Sequence, residues 1–218
     1  GLFQRQTLIE GARSMARTPA AESASPWWEG SVIYELIPRC FADGNGDGIG
    51  DLDGLRQRLD YLQWLGVDAV WMTPICDSPL RDGGYDITDY KAVHPDLGDL
   101  QALDALIAHA HELGLKVLFD LVLNHTSDMH LWFQRARWAE RDSPERNFYV
   151  WRDDDSSYSD APVLFRHFEE SNWHWDPVAG QYYLHRFLRH QPDLNYDNPQ
   201  VQEAMLDVLD FWIDRGID

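Results

Sequence analysis

A chain of 218 residues is long enough to bury a sizeable core, as one large domain or two small ones. Its 18 Lys and Arg stand against 37 Asp and Glu, and a net charge of -19 argues against nucleic acid and anionic membrane surfaces as partners. With 44% apolar residues and no run near the roughly 18 unbroken apolar positions of a membrane span, the composition is that of an ordinary soluble protein.

Residues 1–26 are rich in Ala, Ser and Arg, lack the apolar core of a signal peptide, and read as a flexible leader. A cytoplasmic location is the expectation. The only cysteines, Cys40 and Cys76, exclude a disulfide framework. They fall near the ends of two neighbouring strands, where a bridge could form, but reduced thiols are expected. Ten tryptophans are a more pointed feature. Rings beside carboxylates suit sugar-binding clefts, because the CH face of a pyranose stacks on them; core packing also consumes aromatics.

In chain order, a short strand over 31–37 comes first. Residues 43–51 then read Asp-Gly-Asn-Gly-Asp-Gly-Ile-Gly-Asp, with oxygen side chains at Asp43, Asn45, Asp47 and Asp51 and a backbone carbonyl at Ile49. Alternating Asp and Asn in a glycine-rich loop is the ligand pattern of a hard cation, Ca²⁺ first, in a structural role. An EF-hand is excluded on spacing, since the twelfth position is Gly54 where a bidentate Glu is needed. An Asp/Gly-rich turn without metal would have the same composition.

A helix over 53–65 follows, with Leu55, Leu59, Leu62 and Leu65 on one face, and Gly66 closes it before a strand over 67–72. The pattern recurs. Asp99 caps a helix carrying Leu103, Leu106, Ile107, Ala110 and Leu113, and Gly114 stops it before the strand from Lys116. It recurs again from Pro199, at the first turn, through Val201, Met205, Val208 and Trp212 to Gly216. Three helix–Gly–strand junctions indicate βα units on a parallel sheet, either doubly wound or a (β/α)8 barrel.

Residues 116–127, Lys-Val-Leu-Phe-Asp-Leu-Val-Leu-Asn-His-Thr-Ser, organise the rest. The apolar run at Val117, Leu118 and Phe119 reads as a strand buried on both faces. Asp120, Asn124 and His125 then appear at its carboxyl end, where parallel α/β folds handle ligands. A capped strand with a satisfied histidine would look the same. The loop after the second strand gathers Asp82, Tyr85 and Asp86 around glycines. A carboxylate and a ring three residues apart can hold a sugar hydroxyl and stack on its ring, or make an ordinary turn. Between His125 and Pro199 lie some 70 residues rich in Trp, Tyr, His and Pro, too long for a simple connection. Their segments 171–176 and 191–195 are candidates to roof a cleft; an aromatic mini-core is the alternative for the first.

Taken together, residues 43–51, 84–90 (Gly-Tyr-Asp-Ile-Thr-Asp-Tyr), 120–125 (Asp-Leu-Val-Leu-Asn-His) and 191–195 (Gln-Pro-Asp-Leu-Asn) resemble, in order and spacing, the α-amylase family of glycoside hydrolases. Residues 78–82, 124–128, 132–136, 143–151, 171–180 and 190–199 are similar to its trehalose synthase branch, which isomerises maltose into trehalose. Gly83 departs from that branch, and residues 35–38 read more like its oligoglucosidases. The resemblance implies an α/β fold: the N-terminal part of a (β/α)8 barrel, about three βα units, with a small domain inserted after the third strand. Its divisions fall at 27–125 for the first part of the barrel, 126–197 for the insert, and 198–218 for a helix leading into the fourth strand.

The same resemblance implies a disaccharide substrate, maltose or trehalose. Asp82 would meet a 4-hydroxyl, Tyr85 would stack on the non-reducing glucose, His125 would meet the 6-hydroxyl, and Gln191 would face the cleft. Asp120 and Asn124 would support them from behind. Asp43, Asn45, Asp47, Ile49 and Asp51 match the family's calcium loop. The nucleophilic Asp and the acid/base Glu are expected beyond residue 218, so the segment alone is expected to be inactive and, with open strand edges, poorly stable. An α-glucosidase or a sucrose isomerase of the same family is the alternative, ahead of a non-catalytic amylase-like accessory subunit.

Overall fold

The computed structural model describes residues 25–218. The leader assigned to 1–26 therefore lies outside the described residues apart from Ser25 and Pro26. The next residues form a turn over 27–30, in which the Glu29 N–H donates to the Pro26 carbonyl at 3.0 Å. Val32–Asp218 form one compact unit.

The centre of that unit is a parallel three-stranded sheet of β1 (Ile33–Leu36), β2 (Ala69–Met72) and β5 (Lys116–Phe119), in that order, with β2 in the middle. The register sets Tyr34, Val70 and Val117 in one row, and Leu36, Met72 and Phe119 in another on the same face. That face meets the helices. Val70, Met72 and Val117 are fully buried among helix leucines, and the Phe119 ring lies edge-on to Trp212 at 4.9 Å. The opposite face carries Ile33, Glu35, Trp71 and Leu118, none of them buried, together with the small, buried Ala69. A doubly wound sheet is covered by helices on both faces, whereas a barrel turns one face inward, so this one-sided packing selects the barrel segment. It also corrects the reading of residues 117–119 as buried on both faces: Val117 is, but Leu118 points away from the helices and is half-exposed.

Two residues after the end of β1, a short α1 (Pro38–Phe41) leads into the glycine-rich loop. The helix expected over 53–65 is two helices, α2 (Leu52–Arg56) and α3 (Leu59–Leu65), broken at Gln57 and Arg58. Asp51 caps α2 by accepting from the Gly54 N–H at 2.6 Å. Gly54 sits against the backbone of Ala42, and the break lets α2 keep that contact while α3 turns Leu59 and Leu62 into the core. Each three-residue step rotates the helix face by about 60°. Leu65 therefore leaves the stripe and is exposed, contrary to expectation.

Gly66 (φ 90°), Gly114 (φ 77°) and Gly216 (φ 96°) stop their helices in the left-handed conformation that favours glycine. Asp99 caps α4 (Leu100–Glu112) by accepting from Ala102 N at 2.8 Å. Asn198 caps α6 (Pro199–Asp214), whose Val201, Met205, Val208 and Trp212 are buried as expected. At residue 218 the chain returns beside β5, and the Asp218 N–H donates to the Val117 carbonyl at 2.9 Å.

Two further sheets frame the carboxyl ends of the strands. An antiparallel pair, β3 (Cys76–Asp77) and β4 (Asp89–Val93), closes the base of the loop at 78–88. Past β5, α5 (Leu131–Trp138) and an antiparallel sheet of β6 (Trp151–Arg152), β8 (Gln181–Leu184) and β7 (Trp173–Asp176) build the long excursion. Phe133, Tyr149, Trp151 and Tyr183 cluster there, with ring centroids 5.0–5.8 Å apart. Within residues 171–176, Trp173 is buried with its ring stacked on Tyr158, His174 meets the Tyr183 ring, and Trp175 is exposed. Both cysteines are free thiols, Cys40 exposed and Cys76 buried.

Candidate functional site

Asp120 is the first residue past β5, its N–H still paired to the Met72 carbonyl at 2.8 Å. The loop that follows is stitched on both sides. Thr126 N–H donates to Pro192 O at 3.2 Å, Ser127 N–H to Ile87 O at 2.8 Å, and Asp128 N–H to His190 O at 2.9 Å; Leu194 N–H returns a bond to Asn124 O at 3.0 Å. From below, the buried Tyr90 hydroxyl lies 2.6 Å from the His125 carbonyl and 2.9 Å from that of Val122.

The loop at 78–88 is organised around Asp86, whose side chain is fully buried. It accepts from Ser78 Oγ at 2.8 Å, and from the backbone N–H groups of Arg81 and Asp82 at 3.3 Å each. Arg81 pairs with it at 3.3 Å and reaches across to Asp128. A buried carboxylate is stable when paired and hydrogen-bonded in this way. Gly84 adopts φ +105°, and a Cβ there would approach the Pro74 carbonyl to 3.1 Å. Asp82 and Tyr85 are thus held on a loop with little freedom.

The four residues expected to handle substrate, Asp82, Tyr85, His125 and Gln191, and the two expected to support them, Asp120 and Asn124, line one cavity of about 400 Å³. Val122 and Leu123 line one wall, and Phe165 and Phe187 reach over from the excursion. Gln191 Nε2 donates to Asp82 Oδ2 at 2.8 Å, joining residues 109 positions apart. Tyr85 Oη donates to Asp120 Oδ2 at 2.9 Å. The phenol keeps its proton because burial, with the Asp120 carboxylate beside it, pushes it up to about 12. His125 is 2% exposed, and burial holds it down to about 4, so it is neutral at pH 7. Its Nε2 lies 3.0 Å from the Tyr85 carbonyl, which can only accept, so Nε2 carries the proton. Nδ1 faces Asn124 Nδ2 at 3.2 Å. Both ring nitrogens are thus engaged with protein. The expected reach of His125 to a sugar hydroxyl requires it to share one of them.

Chemically, the cavity presents two carboxylates that accept from hydroxyls, two amides, one neutral imidazole and aromatic walls. That set suits a neutral polyhydroxylated ligand: acceptors for its hydroxyl groups, rings for its CH faces.

The glycine-rich loop lies between α1 and α2. Asp43 accepts from Gly46 N at 2.6 Å, Gly48 N at 2.8 Å and Asn45 N at 3.1 Å, bonds that hold its carboxyl below its ordinary range. Asn45 and Asp47 accept from the N–H groups two residues on. Asp51 is buried and accepts from Gly44 and Gly54, facing α2. Among the described residues, no three Asp, Glu, His or Cys side chains converge as a metal group. Of the five residues expected to hold a cation, Asp43, Asn45 and Asp47 are exposed on this loop with Ile49 beside them, while the fifth, Asp51, is turned to α2.

Sequence reasoning missed Phe165 and Phe187, which lie in a stretch with neither periodicity nor motif. It also gave no role to Asp193, although that residue lies inside the flagged segment 191–195. Asp193 is buried and accepts from Asn124 Nδ2 at 2.9 Å and Arg186 N at 3.1 Å.

Residues 35–218 match the family model described as "Alpha amylase, catalytic domain". The trehalose synthase/amylase TreS of Mycolicibacterium smegmatis is 56% identical over 192 residues, covering 88% of this chain and 32% of that protein. A probable alpha-glucosidase of Rhizobium meliloti is 52% identical over 192 residues, covering 88% of this chain and 35% of that protein. Among solved structures, the trehalulose synthase MutB from Pseudomonas mesoacidophila MX-45 is similar at TM-score 0.82 and 45% identity, over 89% of this chain and 35% of that one. The chain therefore spans about a third of the length of the relatives it matches. With a one-sided parallel sheet, the motif residues gathered at its carboxyl ends and a family model matching nearly the whole described chain, this chain belongs to the α-amylase family.

Proposed function

We propose that the protein to which this chain contributes is a trehalose synthase, converting maltose to trehalose. The observation that carries this reading is the convergence of Asp82, Tyr85, His125 and Gln191, with Asp120 and Asn124 behind them, in one cavity at the strand ends. The similarity to a trehalose synthase/amylase at 56% identity supports it.

In this reading the cavity holds the non-reducing glucose of a disaccharide. Asp82 accepts from a hydroxyl, freed from or shared with Gln191, and Tyr85 with Phe165 and Phe187 supplies apolar faces for the ring. Retaining transfer needs a carboxylate that attacks the anomeric carbon and a carboxylic acid that protonates the departing glycosidic oxygen. Neither role is assigned to a residue described above. The released glucose then attacks the glycosyl–enzyme anomeric carbon through its own anomeric hydroxyl; that hydroxyl's proton passes to the acid/base group and the enzyme carboxylate departs, giving the 1,1-linkage.

Calcium at the glycine-rich loop belongs to the same proposal, through Asp43, Asn45, Asp47 and the Ile49 carbonyl. The oxygen-only donor set and the ionised Asp43 support it. A cytoplasmic location is part of the same proposal, supported by the two free thiols.

Proton NMR of maltose incubated with the full-length protein is the test. A new α,α-1,1-linked anomeric signal with little free glucose is the expected result. Glucose alone would overturn the isomerase reading in favour of a glucosidase, the alternative supported by the Rhizobium relative. Turnover of sucrose but not maltose would favour the sucrose-isomerase alternative, supported by the MutB likeness.

A further inference from the structure

Behind His125 lies a short polar relay that the cavity itself does not require. Asn124 Nδ2 has two hydrogens. One points to Asp193 Oδ1 at 2.9 Å, the other to His125 Nδ1 at 3.2 Å. An asparagine side chain can present either its nitrogen or its oxygen, and the choice matters here. If Asn124 turned its oxygen toward His125, Nδ1 would have to carry the proton. Nε2 would then set a lone pair against the Tyr85 carbonyl 3.0 Å away.

We infer that Asp193 is a positioning residue: by fixing the orientation of the Asn124 amide it holds His125 as the Nε2–H tautomer facing the cavity. The importance of that tautomer for substrate rests on the function proposed above. Three features support the assignment. Asp193 is 5% exposed, and an acceptor buried this deeply selects a donor strongly. Its backbone is fixed independently, with its N–H donating to the Leu184 carbonyl at 2.9 Å and the segment bridged to His125. Its Oδ1 takes both the Asn124 and Arg186 donors. Burial also raises the Asp193 carboxyl to about 7. A proton on Oδ2 leaves Oδ1 free to accept, so the relay works in either protonation state.

The relay thus runs from an acid on the excursion, through a barrel-loop amide, to a ring nitrogen at the cavity. Nothing in the hydrolase chemistry requires that acid, because it touches neither the cavity nor the reacting atoms.

The test uses the full-length protein labelled with ring-¹⁵N histidine, with the His125 resonances assigned from His125→Asn. The wild type is expected to show a bare Nδ1 and a protonated Nε2. In Asp193→Ala the two tautomers are expected to mix, and KM for maltose to rise about tenfold with kcat changing less. Asp193→Asn, which keeps an oxygen at the same place, is expected to restore the wild-type pattern. A protonated Nδ1 in the wild type would overturn the inference without any variant. So would an Asp193→Ala protein with unchanged ring nitrogens and KM. If the wild type fails to convert maltose, the proposed function falls, while the ring-nitrogen pattern still decides the role of Asp193.

Discussion

Gly54→Ala tests the packing that holds the glycine-rich loop against α2. A Cβ built on Gly54 lies 2.1 Å from Ala42 O, 2.6 Å from Ala42 C and 2.8 Å from Gly44 N. All three are backbone atoms, so no side chain can swing aside, and ordinary contact requires a retreat of roughly 1 Å. Overpacking of this kind costs about 1–3 kcal/mol, and a rigid backbone neighbour places it at the upper end. Alanine returns up to about 1 kcal/mol of helix propensity. A net loss of about 2 kcal/mol or more is expected, with the Asp51 cap loosened as α2 moves. Gly46→Ala is the control: it lies in the same loop at φ +85° with open space around it, and the left-handed backbone alone costs about 1–2 kcal/mol. Urea unfolding of both variants of the full-length protein, read as midpoints at constant slope, makes the comparison. A Gly54→Ala protein as stable as wild type would refute the close-packing argument.

Asp193 gives stability a pH dependence. Its carboxyl stays protonated to about 7 in the fold and ionises near 3.8 when unfolded. Stability from this group is therefore full below pH 4 and is lost as pH rises from about 4 to 7, by on the order of 4 kcal/mol. Asp193→Asn should remove that loss, so its melting temperature relative to wild type rises between pH 5 and pH 8; a constant offset would contradict the buried acid. Tyr85→Phe deletes the donor to Asp120 and should weaken maltose binding about tenfold in a KM measurement. Asn198→Ala should cost about 1 kcal/mol in urea unfolding through the lost cap of α6. Chelation by EDTA should lower the melting temperature of the wild type but not of Asp43→Ala; equal shifts would remove calcium from the loop.

Much of this fold is legible because its signals are local. Leu103, Leu106, Ile107 and Ala110 recur at helical spacing, Asp99 supplies a cap, and Gly114 needs a positive φ, so each element announces its own ends. The cavity residues were legible for a different reason: they came as motifs whose family order already paired them. What escaped depends on contacts far along the chain. The break after Arg56 is invisible to periodicity, because Leu55 and Leu59 keep their spacing across it; only the contact of Gly54 with Ala42 requires it. Leu118 reads as buried because an apolar strand does not say which face lacks a helix. Phe165 and Phe187 reach the cavity through the folding of the excursion, and nothing in their neighbourhood marks them.

The stitching of residues 126–128 to 190–192, with Leu194 bonded back to Asn124, has a consequence for how such a protein can change. It is a neck: the excursion leaves and re-enters at adjacent points, its two ends clamped by main-chain bonds that any sequence can make. Insertions or deletions between them need not disturb Asp120, Asn124 or His125, as is usual where the termini of an inserted unit lie close together. The same unit nonetheless delivers Phe165 and Phe187 to the cavity. Selection can therefore reshape what the cavity admits by trading the excursion, while leaving the strand ends beneath it untouched.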